Sequence, residues 1–174
     1  MLSTCATGIT FTDLRSPRYA FGSDDVVKWL LEHGADPNAG YEYDTPMSRA
    51  ALWGKVEIVK LLLSYGGDVK RGDVLHWAVE RDDNTCEILT LLLDHGAQLD
   101  RLRFDGREPR WSVFGVKGLG TPMHRAVARG NVDAVSLLLE RGADKKIKDT
   151  HGRTVVQLAA EVGNPEMISI LERD

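Results

Sequence analysis

Thr121-Pro122-Met123-His124-Arg125-Ala126-Val127, followed ten residues later by Leu137-Leu138-Leu139-Glu140-Arg141-Gly142-Ala143-Asp144, is one unit of a pattern that runs along the chain. Thr121 is suited to accept a backbone N–H as a helix N-cap, and Pro122 then takes the first helical position, where a missing N–H costs nothing. The Leu run stops at Gly142, where a helix ends in the left-handed conformation that glycine adopts without strain. The first phrase returns as Thr45-Pro46-Met47-Ser48-Arg49-Ala50-Ala51, as Val74-Leu75-His76-Trp77-Ala78-Val79, and as Thr154-Val155-Val156-Gln157-Leu158-Ala159-Ala160. The second returns as Leu30-Leu31-Glu32-His33-Gly34-Ala35-Asp36, as Leu61-Leu62-Leu63-Ser64-Tyr65-Gly66-Gly67-Asp68, and as Leu91-Leu92-Leu93-Asp94-His95-Gly96-Ala97-Gln98. Each pair of phrases reads as two helices. Such a unit cannot bury its apolar face alone, so stacking of successive units makes the core.

Local chemistry supports these helices independently. Val59, Leu62 and Leu63 share one face at helical spacing within Val56–Leu63. Asn164-Pro165-Glu166 repeats the capping logic, with an acidic residue near the positive end of a helix. Ala50, Ala78, Ala126 and Ala159 recur where neighbouring helices need close approach. No β-sheet core is called for.

The two phrases resemble the ankyrin repeat, whose signature is Thr-Pro-Leu-His-x-Ala-Ala followed by a Leu-rich segment ending in Gly-Ala-Asp. The resemblance covers about 160 residues. It implies an all-α solenoid of helix-turn-helix units joined by short β-hairpin-like fingers, in one domain over 1–174. About five repeats are expected, near 13–44, 45–72, 73–97, 121–153 and 154–174. The first is degenerate: its first helix would run from Asp13 to Ala20, and Pro17 sits badly inside it.

The spacing departs from regularity in the middle. Gly34 to Thr45 is 11 residues and Gly142 to Thr154 is 12, whereas Gly66 to Asp73 is 7 and Gly96 to Thr121 is 25. Asp73 to Gly96 is 23, two more than Thr45 to Gly66 or Thr121 to Gly142. One finger is therefore short and the next carries an insert, 98–120. That insert holds Arg101, Arg103, Arg107, Arg110 and Lys117 against Asp100, Asp105 and Glu108, together with Phe104, Trp111 and Phe114. Long loops with apolar residues of their own are usually functional. The length arithmetic predicts that Trp111 or Phe114 lies across Trp77 as a lid, with Arg107 and Arg110 outward.

In this family the concave surface, made by fingers and first helices, is the usual binding face. Carried over by position, the fifth residue of the Thr-Pro phrase is Arg49, Trp77, Arg125 and Leu158. The residue before the inter-helix glycine is Trp53, Arg129 and Val162, with Arg81 the nearest match in the third repeat. Trp and Arg are enriched at binding hot spots, and matched arginines would place positive potential on one face. The resemblance gives His76 and His124 hydrogen-bonding roles within the stack. Asp82-Asp83 reads as a solvated capping pair. Cys86, opening a second helix, reads as a small packing residue whose thiol a helix N-terminus would activate only mildly.

Charge and composition limit the function. With 22 Lys+Arg against 26 Asp+Glu the net charge is -4, unlike a general nucleic-acid binder. No stretch has the length of a membrane span, and no basic residue precedes Arg15, so a charged secretory n-region is not expected. Cys5 and Cys86 suit reduced thiols in the cytoplasm or nucleus. No metal-ligand spacing, phosphate loop or nucleophile elbow stands out, so neither metal nor cofactor is expected. The leading expectation is a non-catalytic protein-interaction module whose partner presents an acidic and apolar surface to the Arg/Trp face and the insert. The alternative is a small-molecule binder or enzyme. Its pocket would have Trp77, Trp111 and Phe114 as walls and Asp73, His76, His124 and Arg125 as polar groups.

Overall fold

The computed structural model describes residues 23–40, 43–103 and 119–173. Among them, α1 (Asp24–Glu32) precedes four helix pairs. These are α2 (Pro46–Trp53) with α3 (Val56–Ser64), α4 (Val74–Val79) with α5 (Thr85–Asp94), α6 (Pro122–Ala128) with α7 (Val132–Glu140), and α8 (Val155–Val162) with α9 (Pro165–Leu171). The first helices α2, α4, α6 and α8 pack side by side in one layer. The second helices α1, α3, α5, α7 and α9 form the other. The first helix expected over Asp13–Ala20 lies outside the described residues.

One register builds the core. Leu30, Leu62, Leu92, Leu138 and Leu171 occupy equivalent places in the second-helix layer, and all are buried. Ala50, Ala78, Ala126 and Ala159 are fully buried in the first-helix layer, where a bare methyl lets neighbouring helices approach. Between the layers, apolar side chains of successive units merge into one continuous cluster. This is the burial that no single unit achieves.

Of the expected caps, those at Thr45 and Asn164 form, whereas at Thr121 it is the His124 ring Nδ1 that accepts the Thr121 N–H. Thr45 Oγ1 accepts from the Ser48 N–H at 3.1 Å while Ser48 Oγ accepts from the Thr45 N–H at 2.9 Å. Thr154 and Gln157 make the same reciprocal pair. In the second helices, the Asn131 and Asn164 side chains accept from Ala134 and Met167 at 3.0 and 3.1 Å. The fingers are built from turns, with no strand among the described residues. Asp36, Asp68 and Asp144, which close the Leu-rich phrases, each accept the N–H two residues on at 2.8 Å.

The irregular spacing has a backbone signature. Among described non-glycine residues, only Asp73 and Asn84 have positive φ, each 49°. Asp73 ends the short finger and Asn84 closes the lengthened turn between α4 and α5, so both departures fall on the third repeat. Asp and Asn tolerate the left-handed region better than other residues with a Cβ. Gly72, at φ 82°, lets the shortened finger press onto the previous repeat: a Cβ there would meet Thr45 Oγ1 at 2.5 Å. The insert leaves from a closed neck. Arg103 N–H donates to the Gly120 carbonyl at 3.1 Å, and Leu119 exchanges two bonds with Thr150 at 2.8 and 2.9 Å.

Candidate functional site

The fifth position of the first-helix phrase holds Arg49, Trp77, Arg125 and Leu158, as the sequence arithmetic requires, but their surroundings differ. Arg49 is held by a two-pronged pair to Asp44, both contacts at 2.6 Å. Leu158 is buried. Trp77 is half-buried, with the Arg103 guanidinium 4.5 Å from its ring centroid. Trp111 and Phe114, the expected covers of Trp77, lie outside the described residues. So do Phe104, Arg107 and Arg110. What lies over Trp77 among the described residues is the last residue before them.

The ninth position holds Trp53, Arg81, Arg129 and Val162. Trp53 is 43% exposed and Val162 45%. Arg81 does not belong to the exposed row. Its side chain, only 4% exposed, turns toward the preceding repeat. Nη1 donates to the carbonyls of Ala51 and Gly54 at 3.2 and 2.8 Å, at the end of α2. Its Nη2 meets Asp83 at 3.0 Å. Those carbonyls end a helix without further intrahelical donors, and a guanidinium is well shaped to serve several at once. Arg81 therefore ties repeats together instead of edging the groove. Asp82 and Asp83 are ion-pair partners of Arg129 and Arg81, not caps; the N-cap of α5 is Asn84.

The residue that organises the face is Glu80. Three guanidinium groups converge on its carboxylate, which is 15% exposed. Arg125 grips it with Nε and with Nη2, the latter at 2.7 Å; Arg103 reaches it at 3.3 Å and Arg129 at 3.5 Å. Arg129 also donates to Asp82 at 2.7 Å. Burial pushes the Glu80 carboxyl up, but the Arg125 hydrogen bond and charge, with the charges of Arg103 and Arg129, outweigh it and hold it below the usual carboxylate range. Burial lowers the Arg103 guanidinium, an effect that Glu80 opposes. The expected unopposed positive face is therefore a paired one. Glu80 escaped the sequence reading because it lies one place before the row that was compared between repeats. The signal for it is a single acid at the C-terminal cap of α4, facing two arginines of the next unit.

His76 and His124 take the stacking role. Each is buried. His76 Nε2 donates to the Gly120 carbonyl at 3.0 Å, and His124 Nε2 donates to the Arg153 carbonyl at 3.1 Å. His124 Nδ1 accepts from the Thr121 N–H at 3.3 Å, which fixes the tautomer that donates from Nε2. Burial pushes His76 down to about 3; the bond to Gly120 opposes this, and the charges of Arg103, Arg101 and Arg125 add to it. Asp73 is buried and pairs with Arg101 at 3.5 Å. Asp73 and His76 border a crevice of about 10 Å³, shared with Val69, Leu75 and Arg101, which has room for one water. Cys86 is not activated: burial raises its thiol, and the charge of Asp133 raises it further.

Two layers of stacked helix pairs, capped by Thr-Pro and closed by Gly-x-Asp turns, define a helical-repeat solenoid. Family models described as ankyrin repeats match residues 19–103 and 111–173, and again 75–139. The chain belongs to the ankyrin-repeat family. It is 30% identical to the putative palmitoyltransferase ZDHHC13 of Danio rerio over 84% of this chain and 27% of that protein. It is 33% identical to the ankyrin repeat protein nuc-2 of Neurospora crassa, over 84% of this chain and 13% of that protein. With the ankyrin repeat and SOCS box protein 11 of Danio rerio it shares 30% identity over 67% of this chain and 36% of that protein. The chain thus spans about a third or less of these relatives. No helix among the described residues is long and apolar enough to cross a membrane.

Proposed function

We propose that the chain is a non-catalytic protein-interaction module that binds a partner through its concave Arg/Trp face and the 98–120 insert. Ankyrin repeats generally mediate protein–protein interaction, and the family membership supports that class. The observation that carries the finer reading is Trp53, 43% exposed and in one register with Arg129. A large aromatic left open, in a row that also holds the partly exposed Arg129, has the composition of an interface hot spot. The partner that fits presents acidic and apolar groups, and the compartment that fits reduced thiols is the cytoplasm or nucleus. His76 and His124 are committed to neighbouring carbonyls, which favours binding over acid–base chemistry.

The test is affinity capture with the full chain beside two variants, Trp53→Ala and the chain lacking 108–118. The excision removes none of the described helices, so their stack should persist while capture is lost. Trp53→Ala should lower capture at least about tenfold, as for a hot-spot aromatic. Undiminished capture by both would place the binding surface elsewhere.

A further inference from the structure

Glu80, Asp82, Arg125 and Arg129 make a cluster whose members are not equally held. Arg125 is gripped by both oxygens of Glu80. Arg129 has one short contact, to Asp82 at 2.7 Å, and one long contact, to Glu80 at 3.5 Å. The side chain of Asp82 is 94% exposed, and that of Arg129 is 30% exposed. An ion pair whose acid stands almost wholly in water contributes little and exchanges at little cost. Glu80 cannot make up the difference. A carboxylate offers about four lone-pair sites, and three guanidinium groups with five N–H donors each compete for them.

We infer that Asp82 holds the place of a partner carboxylate: an Asp or Glu side chain of the bound polypeptide displaces Asp82 from Arg129 and sits beside Arg125. This deepens the groove reading and rests on it. The incoming carboxylate takes over the ion pair that Asp82 gives up, and Asp82, whose side chain is already 94% exposed, turns to solvent, where its charge is screened. A phosphate ester would bring up to two negative charges against Glu80, which among the described residues shares three cations. A carboxylate is also the planar partner that a guanidinium fork takes with two parallel bonds. The acid of this chain, reaching from the α4–α5 turn, makes only one. Asp82 then acts as an internal competitor, which sets the affinity of the site and rejects partners lacking an acid at this point.

The experiment uses peptides selected from a random phage-displayed library on the full chain and resynthesised with a fluorescent label. Four single variants are compared by anisotropy: Asp82→Asn, Arg129→Gln, Asp83→Asn and Trp53→Ala. Asp83 carries the same charge one residue along but faces Arg81, so it controls for general field effects. The inference expects an Asp or Glu common to the selected peptides. It expects Asp82→Asn to tighten binding about twofold to fivefold, the worth of an exposed ion pair. Arg129→Gln should weaken it at least about tenfold, and Asp83→Asn should leave it unchanged. Equal tightening by both Asp variants overturns the inference in favour of a diffuse field. So does a peptide whose acid binds better when replaced by phosphoserine. Binding that is lost in Trp53→Ala but indifferent to Asp82→Asn and Arg129→Gln overturns the inference and leaves the groove reading standing. Binding indifferent to Trp53→Ala and Arg129→Gln alike overturns both.

Discussion

His76 and Gly120 stand 44 residues apart in sequence, yet the imidazole Nε2–H of the one reaches the carbonyl of the other at 3.0 Å. The bond spans the insert, joining α4 to the residue that precedes the Thr121 cap. His124 makes the corresponding bond to Arg153 one repeat later. A Cβ on Gly120 would meet the His124 ring at 2.5 Å, so this point of the finger fits between the two histidines only as glycine. Repeat-to-repeat bonding therefore continues from the residues before the insert to those after it.

That bond gives a pH dependence with a definite sign. His76 falls from 6.5 to about 3 on folding, so between those values the unfolded chain binds a proton that the folded chain does not. Stability is full above pH 6.5 and is lost as pH falls through that window, at no more than about 1.4 kcal/mol per pH unit for this group. His124 is lowered also and acts in the same direction. His76→Gln keeps a donor near Gly120 but cannot titrate. Urea unfolding of this variant between pH 4 and 7 should show a shallower loss than the native chain; an identical slope would exclude His76 as the source.

Leu62 and Leu138 share a register and are fully buried. Replacing either with Ala should cost ~2–5 kcal/mol in chemical denaturation, with similar values if one continuous core holds both. A neutral result at either position would break the proposed register.

Arg81→Ala should act on stability. It strips the donors from the Ala51 and Gly54 carbonyls and leaves Asp83 unpaired, at a cost of ~2–4 kcal/mol. Thermal melting is the measurement. The peptides that report on Arg129 should bind this variant unchanged at temperatures where it is folded.

Asn84 holds a left-handed conformation at φ 49°. Asn84→Ala should destabilise by about 1 kcal/mol, because alanine tolerates the left-handed region less well than asparagine. Asn84→Gly should be neutral or slightly stabilising, since glycine takes this region freely. Denaturation midpoints of the two variants should therefore move apart; if they move together, the residue is held by side-chain contacts instead.

The repeating phrases, and the caps at Thr45 and Asn164, were legible in the residues because each rests on local chemistry; the start of α5 was not, since Asp82-Asp83 reads as its capping pair and Asn84 takes that place. Thr45 needs only Ser48, and Thr154 only Gln157, to close a cap. A Leu every repeat in one register needs only the helical period to become a core. The length departures were legible too, and Asp73 and Asn84 carry their backbone cost where the counting placed the irregular repeat. Side-chain direction was decided elsewhere. Arg81 and Arg129 occupy one register, yet Arg81 turns in because the carbonyl end of α2 lies before it, and Arg129 stays out because Asp82 and Glu80 do. Glu80 gathers arginines 23, 45 and 49 residues away, a meeting that no local period encodes. The sequence by itself determined what repeats and, at Thr45 and Asn164, where a helix begins, because those depend on neighbours a turn away. The stacking decided which charges meet, because an ion pair depends on distance in space, and only the packed layers bring α4 against α6.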